Sequence, residues 1–339
     1  MFDPKSLLRP SLLVPLLLIA ALGVLPLVAQ GFGQTYYIAV VARILIYAIA
    51  ASALNLALGY AGLIGFGHAL FLGIGAYAVG LPSFHGLDSG FLHLGLALAA
   101  CAAVALLTGF VSLRTTGMGF IMITLAFAQM GYFFFISLKQ YGGDDGLNIP
   151  SPSRFGLFDL DSPIAVYFAA YAMLCLLSGW MVRLRQAPFG MVLRAARQNP
   201  RRVSAVGLPV LRYQLAAYVI SAMLCGVAGM LLANLNVFAS PSTLAWTVSG
   251  ELIVIVVLGG IGTVFGPVFG ALVFFGLEEL LKMNTEHWTL VFGPIIVMLA
   301  LLGKSGLMGA LQRLDQVVPL GRRTQQQSDN AKFSKRRGW

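Results

Sequence analysis

The sequence predicts an all-α polytopic membrane protein of about ten transmembrane helices with Gly-rich broken segments, and three observations carry that expectation. The 339 residues are 58% hydrophobic and 10% charged, with a mean hydropathy of +0.86, more apolar surface than one soluble core can hide. Arg43, Asp88, Arg114, Lys139 and Glu251 stand nearly alone between positions 10 and 300 outside two loops, so the charge-free runs exceed the roughly 20 residues a helix needs to cross hydrocarbon. The weak alternation of barrel strands is absent, and runs such as Ile164 to Val182 are apolar on every face.

Taken in order, Ser11 to Ala29 resembles a signal-peptide core behind Lys5 and Arg9. Pro15 and Pro26 interrupt it and no tidy small-x-small site precedes Gln30, so an uncleaved first span is expected. The second span is expected at Tyr36 to Leu58. Six glycines then fall in 17 residues, including Gly59, Gly62, Gly65 and Gly67. Each weakens a helix by roughly 1 kcal/mol relative to Ala. A broken or re-entrant helix buried in protein follows, because backbone that is not helical is tolerated at membrane depth only there or beside a water-filled cavity.

Further spans are expected near Phe91 to Leu113, Met118 to Leu138, Ser162 to Val182, Tyr213 to Val237, Val248 to Leu258, Val264 to Leu281 and Trp288 to Leu302. Gly259, Gly260 and Gly262 interrupt the late apolar run and predict a second bend. Leu58-Gly59-x-x-Gly62 and Leu258-Gly259-x-x-Gly262 share a pattern. Three matching residues, two of them glycine, leave a duplicated half open.

The segment 183–212 carries seven of the 22 basic residues and no Asp or Glu: Arg183, Arg185, Arg194, Arg197, Arg201, Arg202 and Arg212. With a cytoplasmic amino terminus and ten spans, 18 of the 22 basic residues fall on the inside segments, leaving Arg43, Lys139, Arg154 and Lys282. The positive-inside rule therefore makes this loop, and both termini, cytoplasmic. The net charge of +10 reads as orientation rather than as a nucleic-acid surface. Residues 1–302 form the transmembrane domain, and 303–339 a polar, basic tail expected to be disordered and to touch anionic lipid. On the outer face, Lys139 to Asp161 is the longest loop. Asp144 and Asp145, within Gly142-Gly143-Asp144-Asp145-Gly146, are free either for an extracytoplasmic partner or simply for water.

Catalytic chemistry finds no footing. There is no GxxxxGK[ST], HExxH or GxSxG motif, no metal set, and no cofactor site is expected. Cys101, Cys175 and Cys225 lie in apolar runs without CxxC or His partners and read as packing residues. His68 is the one histidine well inside an apolar region, and either packs or lines a pathway. Asn55, Asn234 and Asn236 offer uncharged hydrogen bonding, Arg43 snorkels or pairs within the bundle, and Glu251, Glu278 and Glu279 reach an interface. A secondary transporter would need a central ionisable relay, and a membrane enzyme a cluster of His, Asp or Ser at one interface.

Several segments carry a family resemblance. Asn55 to Gly62, with Gly67-His68-Ala69 and Gly73-Ile74-Gly75-Ala76-Tyr77, resembles the amino-terminal signature of LivM-type permeases, the membrane subunits of branched-chain amino acid ABC importers. Met118-Gly119-Phe120 to Gln129, Gly142 to Leu147, Gly259 to Pro267, Arg194 to Gly207 and Ser221 to Gly229 are similar to further family segments in the same order, over about positions 36 to 308. The resemblance implies a bacterial inner-membrane subunit working with a second, paralogous permease, two ATPase subunits that hold ATP and Mg, and an extracytoplasmic solute-binding protein. It implies that the basic loop forms a short coupling helix docked into a cleft of the ATPase, with Arg194, Ala195, Arg197, Asn199, Arg201, Gly207 and Arg212 the coupling residues. The loop departs from the family in one place, having Gln198-Asn199-Pro200-Arg201-Arg202 where acidic residues are common. The implied solute is a branched-chain or other aliphatic amino acid, with urea, short amides and aromatic carboxylates the family's other cargoes.

Overall fold

The computed structural model describes residues 10–31, 35–156, 159–302 and 306–309. Lys5, Arg9 and all of the polar tail except residues 306–309 lie outside the described residues. The chain is helical almost throughout: α1 (Pro10–Gly31), α2 (Thr35–Asn55), α3 (His68–Phe84), α4 (Gly90–Ser112), α5 (Met118–Ser137), α6 (Pro163–Gln186), α7 (Pro188–Gln198), α8 (Pro200–Ala205), α9 (Val210–Asn236), α10 (Trp246–Gly259), α11 (Gly266–Asn284) and α12 (Trp288–Leu302). Among the described residues, five segments are long and apolar enough to cross a membrane: Tyr36–Tyr60, Gly90–Ser112, Met118–Ser137, Pro163–Gln186 and Val210–Asn236. α3, α10 and α12 are apolar but shorter.

The centre of the bundle is α2, which with the turn that follows it is buried from Ile44 to Ala61, with α6, α9 and α11 against it. Small residues let α3 and α9 approach closely. A Cβ on Gly75 would lie 2.0 Å from the Gly226 carbonyl oxygen, and one on Gly229 1.8 Å from that of Leu72. Close backbone approach is the main source of helix association in lipid, where burial of apolar surface brings no gain. α5 lies at the other extreme, with Met118, Met122, Met130, Phe133 and Phe134 exposed.

Two stretches break the helical ladder. α2 runs into a π turn at Leu56–Tyr60, and the chain then passes without helix through Ala61–Gly67 before α3 begins. α10 ends at Gly259, and Gly260 to Phe265 separate it from α11. Both interruptions fall where the glycine clusters predict them.

The connection from α9 to α10 is not a plain loop. Phe238–Ala239 (β2) pairs antiparallel with Leu147–Asn148 (β1) of the outer loop, Leu147 opposite Ala239. Gly80 of α3 lies against Leu147 and Ala239, whereas Gly73 lies against Leu244. Seven residues of α3 separate those contacts, so Phe238 to Leu244 descends about 10 Å into the bundle at 1.5 Å per residue. The span expected near Val248 to Leu258 is accordingly a shorter apolar helix, α10, that starts inside the bundle.

Candidate functional site: the basic loop and the two broken helices

The basic loop folds locally by capping. Pro188 occupies the first turn of α7, Asn199 leaves helical geometry at φ −155, and its side chain caps α8 by accepting from the Arg202 N–H at 3.1 Å, with Pro200 in the first turn. Such a cap contributes about 1 kcal/mol. Gly207 closes the loop at φ +87, its N–H donating to Ser204 O at 2.9 Å. α7 is amphipathic, with Gly190, Leu193 and Ala196 buried against the bundle and Met191, Ala195 and Gln198 exposed.

Its arginines divide into two groups. Arg194 donates to the carbonyl oxygens of Arg185 (2.7 Å) and Gly190 (3.3 Å), bracing α7 against the end of α6. Arg197 donates from Nη1 to the carbonyl oxygen of Gly59 in the π turn. Its stem lies over Gly62 and its guanidinium beside Gly262, so close that a Cβ added to either glycine would come within 2.9 and 3.4 Å of it respectively. Arg201, Arg202 and Arg212 are exposed. Of the seven arginines of the loop, Arg194 and Arg197 thus hold the chain's own backbone, and the other five, Arg183 and Arg185 included, are exposed.

Beneath Arg197 the two Gly-rich turns meet. Asn55 donates from Nδ2 to Thr263 O and accepts from the Gly262 N–H, both at 2.8 Å. A Cβ on Gly59 would lie 2.7 Å from Gly262 N. Gly62 and Gly262 take similar left-handed values, φ +75 and +79, which side chains other than glycine rarely adopt. Gly259 and Gly260 lie buried beneath this junction, with Gly306 packed on Gly260. A cavity of about 170 Å³ opens beside it, lined by Gly62, Ile64, Thr115 and Gln214 among others.

Deeper in, the non-helical segment is satisfied by hydroxyls. Phe66 N–H donates to Thr124 Oγ1 (3.2 Å) and Ala69 N–H to Ser249 Oγ (2.9 Å), while Gly65 and Gly67 pack on Thr124. Ser221 Oγ donates to Ala53 O at 2.5 Å. His68 Nε2 lies 2.8 Å from that serine's Oγ, Ser221 Oγ. Since the hydroxyl proton is committed to Ala53, Nε2 carries the imidazole proton and Nδ1 is a buried acceptor without a hydrogen-bond partner among the described residues. His68 is 2% exposed and flanked by Phe71 and Tyr218.

The outer loop is held by a second network. His93 Nε2 donates to Leu87 O and its Nδ1 accepts from Ser153 Oγ, both at 2.8 Å, and Ser153 N–H donates to Asn234 Oδ1 at 2.8 Å. Asp144 and Asp145 remain exposed on a turn framed by Gly142 at φ +87 and Gly146 at φ +83. Among the described residues no group of three His, Cys, Asp or Glu side chains converges to hold a metal. Sequence reasoning missed Thr124, Ser153, Ser221 and Ser249. Their one signal is a hydroxyl on an otherwise apolar span.

A polytopic helical bundle with two broken segments gathered under a basic loop defines a membrane permease. Residues 36–302 match the family of permease components of branched-chain amino acid transport systems, and the chain belongs to that family. It is 29% identical over 289 residues to the high-affinity branched-chain amino acid transport permease protein LivM of Salmonella typhimurium, covering 78% of this chain and 68% of that protein. It is 26% identical to the probable LivM of Methanocaldococcus jannaschii, covering 78% and 90% respectively. LivH of Escherichia coli K12 is 24% identical, covering 78% and 91%. No solved structure matches the chain.

Proposed function

We propose that the protein is one of two paralogous permease subunits of an ATP-driven importer for branched-chain or related aliphatic amino acids in a bacterial inner membrane. It crosses the membrane about ten times with both termini cytoplasmic. α7 and α8 dock on a separate ATPase subunit, and a solute-binding protein meets the outer loop at Asp144 and Asp145. The observation that carries the reading is the Arg197 contact with Gly59, Gly62 and Gly262, because it ties the basic loop to both interruptions of the bundle at once.

Mechanically, exposed Arg201, Arg202 and Arg212 suit charge-assisted contacts with an acidic partner. Arg197 and Arg194 convert movement of α7 into movement of the π turn and the α6 terminus. Glycine turns at 62 and 262 absorb the rotation, and α3 and α10, each anchored at its start, swing as rigid half-helices. Similarity to both LivM and LivH proteins supports a paired assembly. The test is copurification and transport: the chain expressed with its neighbouring genes should recover ATPase subunits, and the reconstituted assembly should accumulate L-leucine only with ATP. Accumulation without nucleotide, or of urea in preference to L-leucine, would overturn the reading.

A further inference from the structure

We propose that a pocket between α2 and α11, at the end opposite the basic loop, binds a zwitterionic aliphatic amino acid, its carboxylate on Arg43 and its ammonium at Glu278 and Glu279. The proposal rests on the importer reading and adds the site.

The Tyr36 hydroxyl donates to Glu279 Oε1 at 2.8 Å, which brings the start of α2 beside the end of α11. From that end Arg43 lies eight residues down α2 and Glu278 six residues up α11, about 12 and 9 Å into the bundle. Charges at that depth do not face hydrocarbon; they line water-filled cavities or pair. Arg43 is exposed, and its guanidinium is held 5.7 Å from the ring centre of Tyr47, one turn deeper, and 5.3 Å from that of Phe275. Among the described residues it has no carboxylate within ion-pair distance, and the ion pair that is present joins Lys282 to Glu278 at 2.5 Å. Snorkelling serves Lys282 and Glu279 near the helix end. It leaves the deeper Arg43 unexplained.

These groups surround a cavity of about 260 Å³ whose remaining wall includes Val40, Ile44, Leu235 and Phe275. Ligand pockets begin at roughly 300 Å³, so this one fits a small solute. Arginine's planar fork matches a carboxylate. A carboxylate now engaged by half-exposed Lys282 can accept an ammonium in its place. Aliphatic walls between opposite charges are the complement of an amino acid with a branched side chain.

The test is protection from labelling of Ala39→Cys, on the pocket wall, in membranes carrying the whole assembly. The buried Cys101 and Cys225 stay, and Cys175 is replaced by Ser. A membrane-impermeant methanethiosulfonate should label the site from outside. L-leucine at ten times its Kd should slow labelling about tenfold, by the factor 1 + [L]/Kd. L-Leucinamide, lacking the carboxylate, and 4-methylpentanoate, lacking the ammonium, should protect only at much higher concentration. Arg43→Gln should erase the preference for leucine over leucinamide, and Glu278→Gln that over 4-methylpentanoate. Labelling by lipid-soluble maleimide alone, no protection by L-leucine, or unchanged preferences in both variants overturns the proposal. Labelling needs no nucleotide, so protection together with leucine accumulation that requires no ATP would sink the importer reading and leave the pocket standing. ATP-driven uptake without protection would do the reverse.

Discussion

Arg197 donates to the carbonyl oxygen of Gly59, 138 residues away in sequence. One guanidinium thus joins the basic loop to the π turn that ends the central helix α2, where the carbonyls carry the negative end of the helix dipole. The contact sets α7 apart from an exposed helix that merely presents charge.

Replacing Arg197 by Gln should therefore leave the assembly intact and separate ATP hydrolysis from transport. The expected outcome in reconstituted membranes is at least about a tenfold fall in leucine moved per ATP, equivalent to losing one charge-assisted bond of roughly 1.5–3 kcal/mol. Arg201→Glu and Arg212→Glu should instead weaken copurification of the ATPase, with the loss deepening as salt falls because the new charge repels an acidic surface. Unchanged coupling in Arg197→Gln would remove the proposed linkage.

Asn55 should tolerate no isostere. Asn55→Asp keeps an acceptor for the Gly262 N–H but turns an oxygen toward Thr263 O, which also needs a donor. With Asn55 fully buried, the expected cost is about 1–3 kcal/mol or more, read as a lower unfolding temperature in detergent.

The glycine contacts predict a contrast. Gly229→Ala would push a Cβ to 1.8 Å from the Leu72 carbonyl oxygen, and should destabilise the α3–α9 crossing by about 1–3 kcal/mol. Gly179→Ala meets nothing within 4 Å in the middle of α6, and should be neutral or stabilising by up to about 1 kcal/mol. Thermal unfolding of the two variants side by side checks both.

Asp144→Asn with Asp145→Asn touches two exposed side chains, so stability should stay within about 0.5 kcal/mol. The expected loss lies in stimulation of ATP hydrolysis by the solute-binding protein, and it should shrink at high salt. Full stimulation at low salt would show that the partner docks elsewhere.

Much of this was legible in the sequence because hydrocarbon is a strict solvent. Runs without charge marked the spans, and the glycines at 59, 62, 259, 260 and 262 marked the breaks. Even the shared Leu-Gly-x-x-Gly spacing acquired a geometric meaning, since the two turns pack on each other with matching φ values. The family resemblance read from ordered motifs agrees with the match over residues 36–302. Long-range pairings left no periodic trace. His68 finds Ser221 across 153 residues, and Ala69 finds Ser249 across 180; each serine alone looks like an ordinary small residue on an apolar span. The descent of Phe238 to Leu244 was equally hidden, because a segment with two serines, a proline and a threonine reads as a solvent loop until its contact with Gly73 is known.

α3 and α10 both begin inside the bundle, and their opening turns touch through Ala69 and Ser249. In the proposed importer this makes the barrier between the two sides of the membrane a narrow waist rather than a full-length wall, and a short stroke at the loop is then all that the proposed cycle requires to shift it.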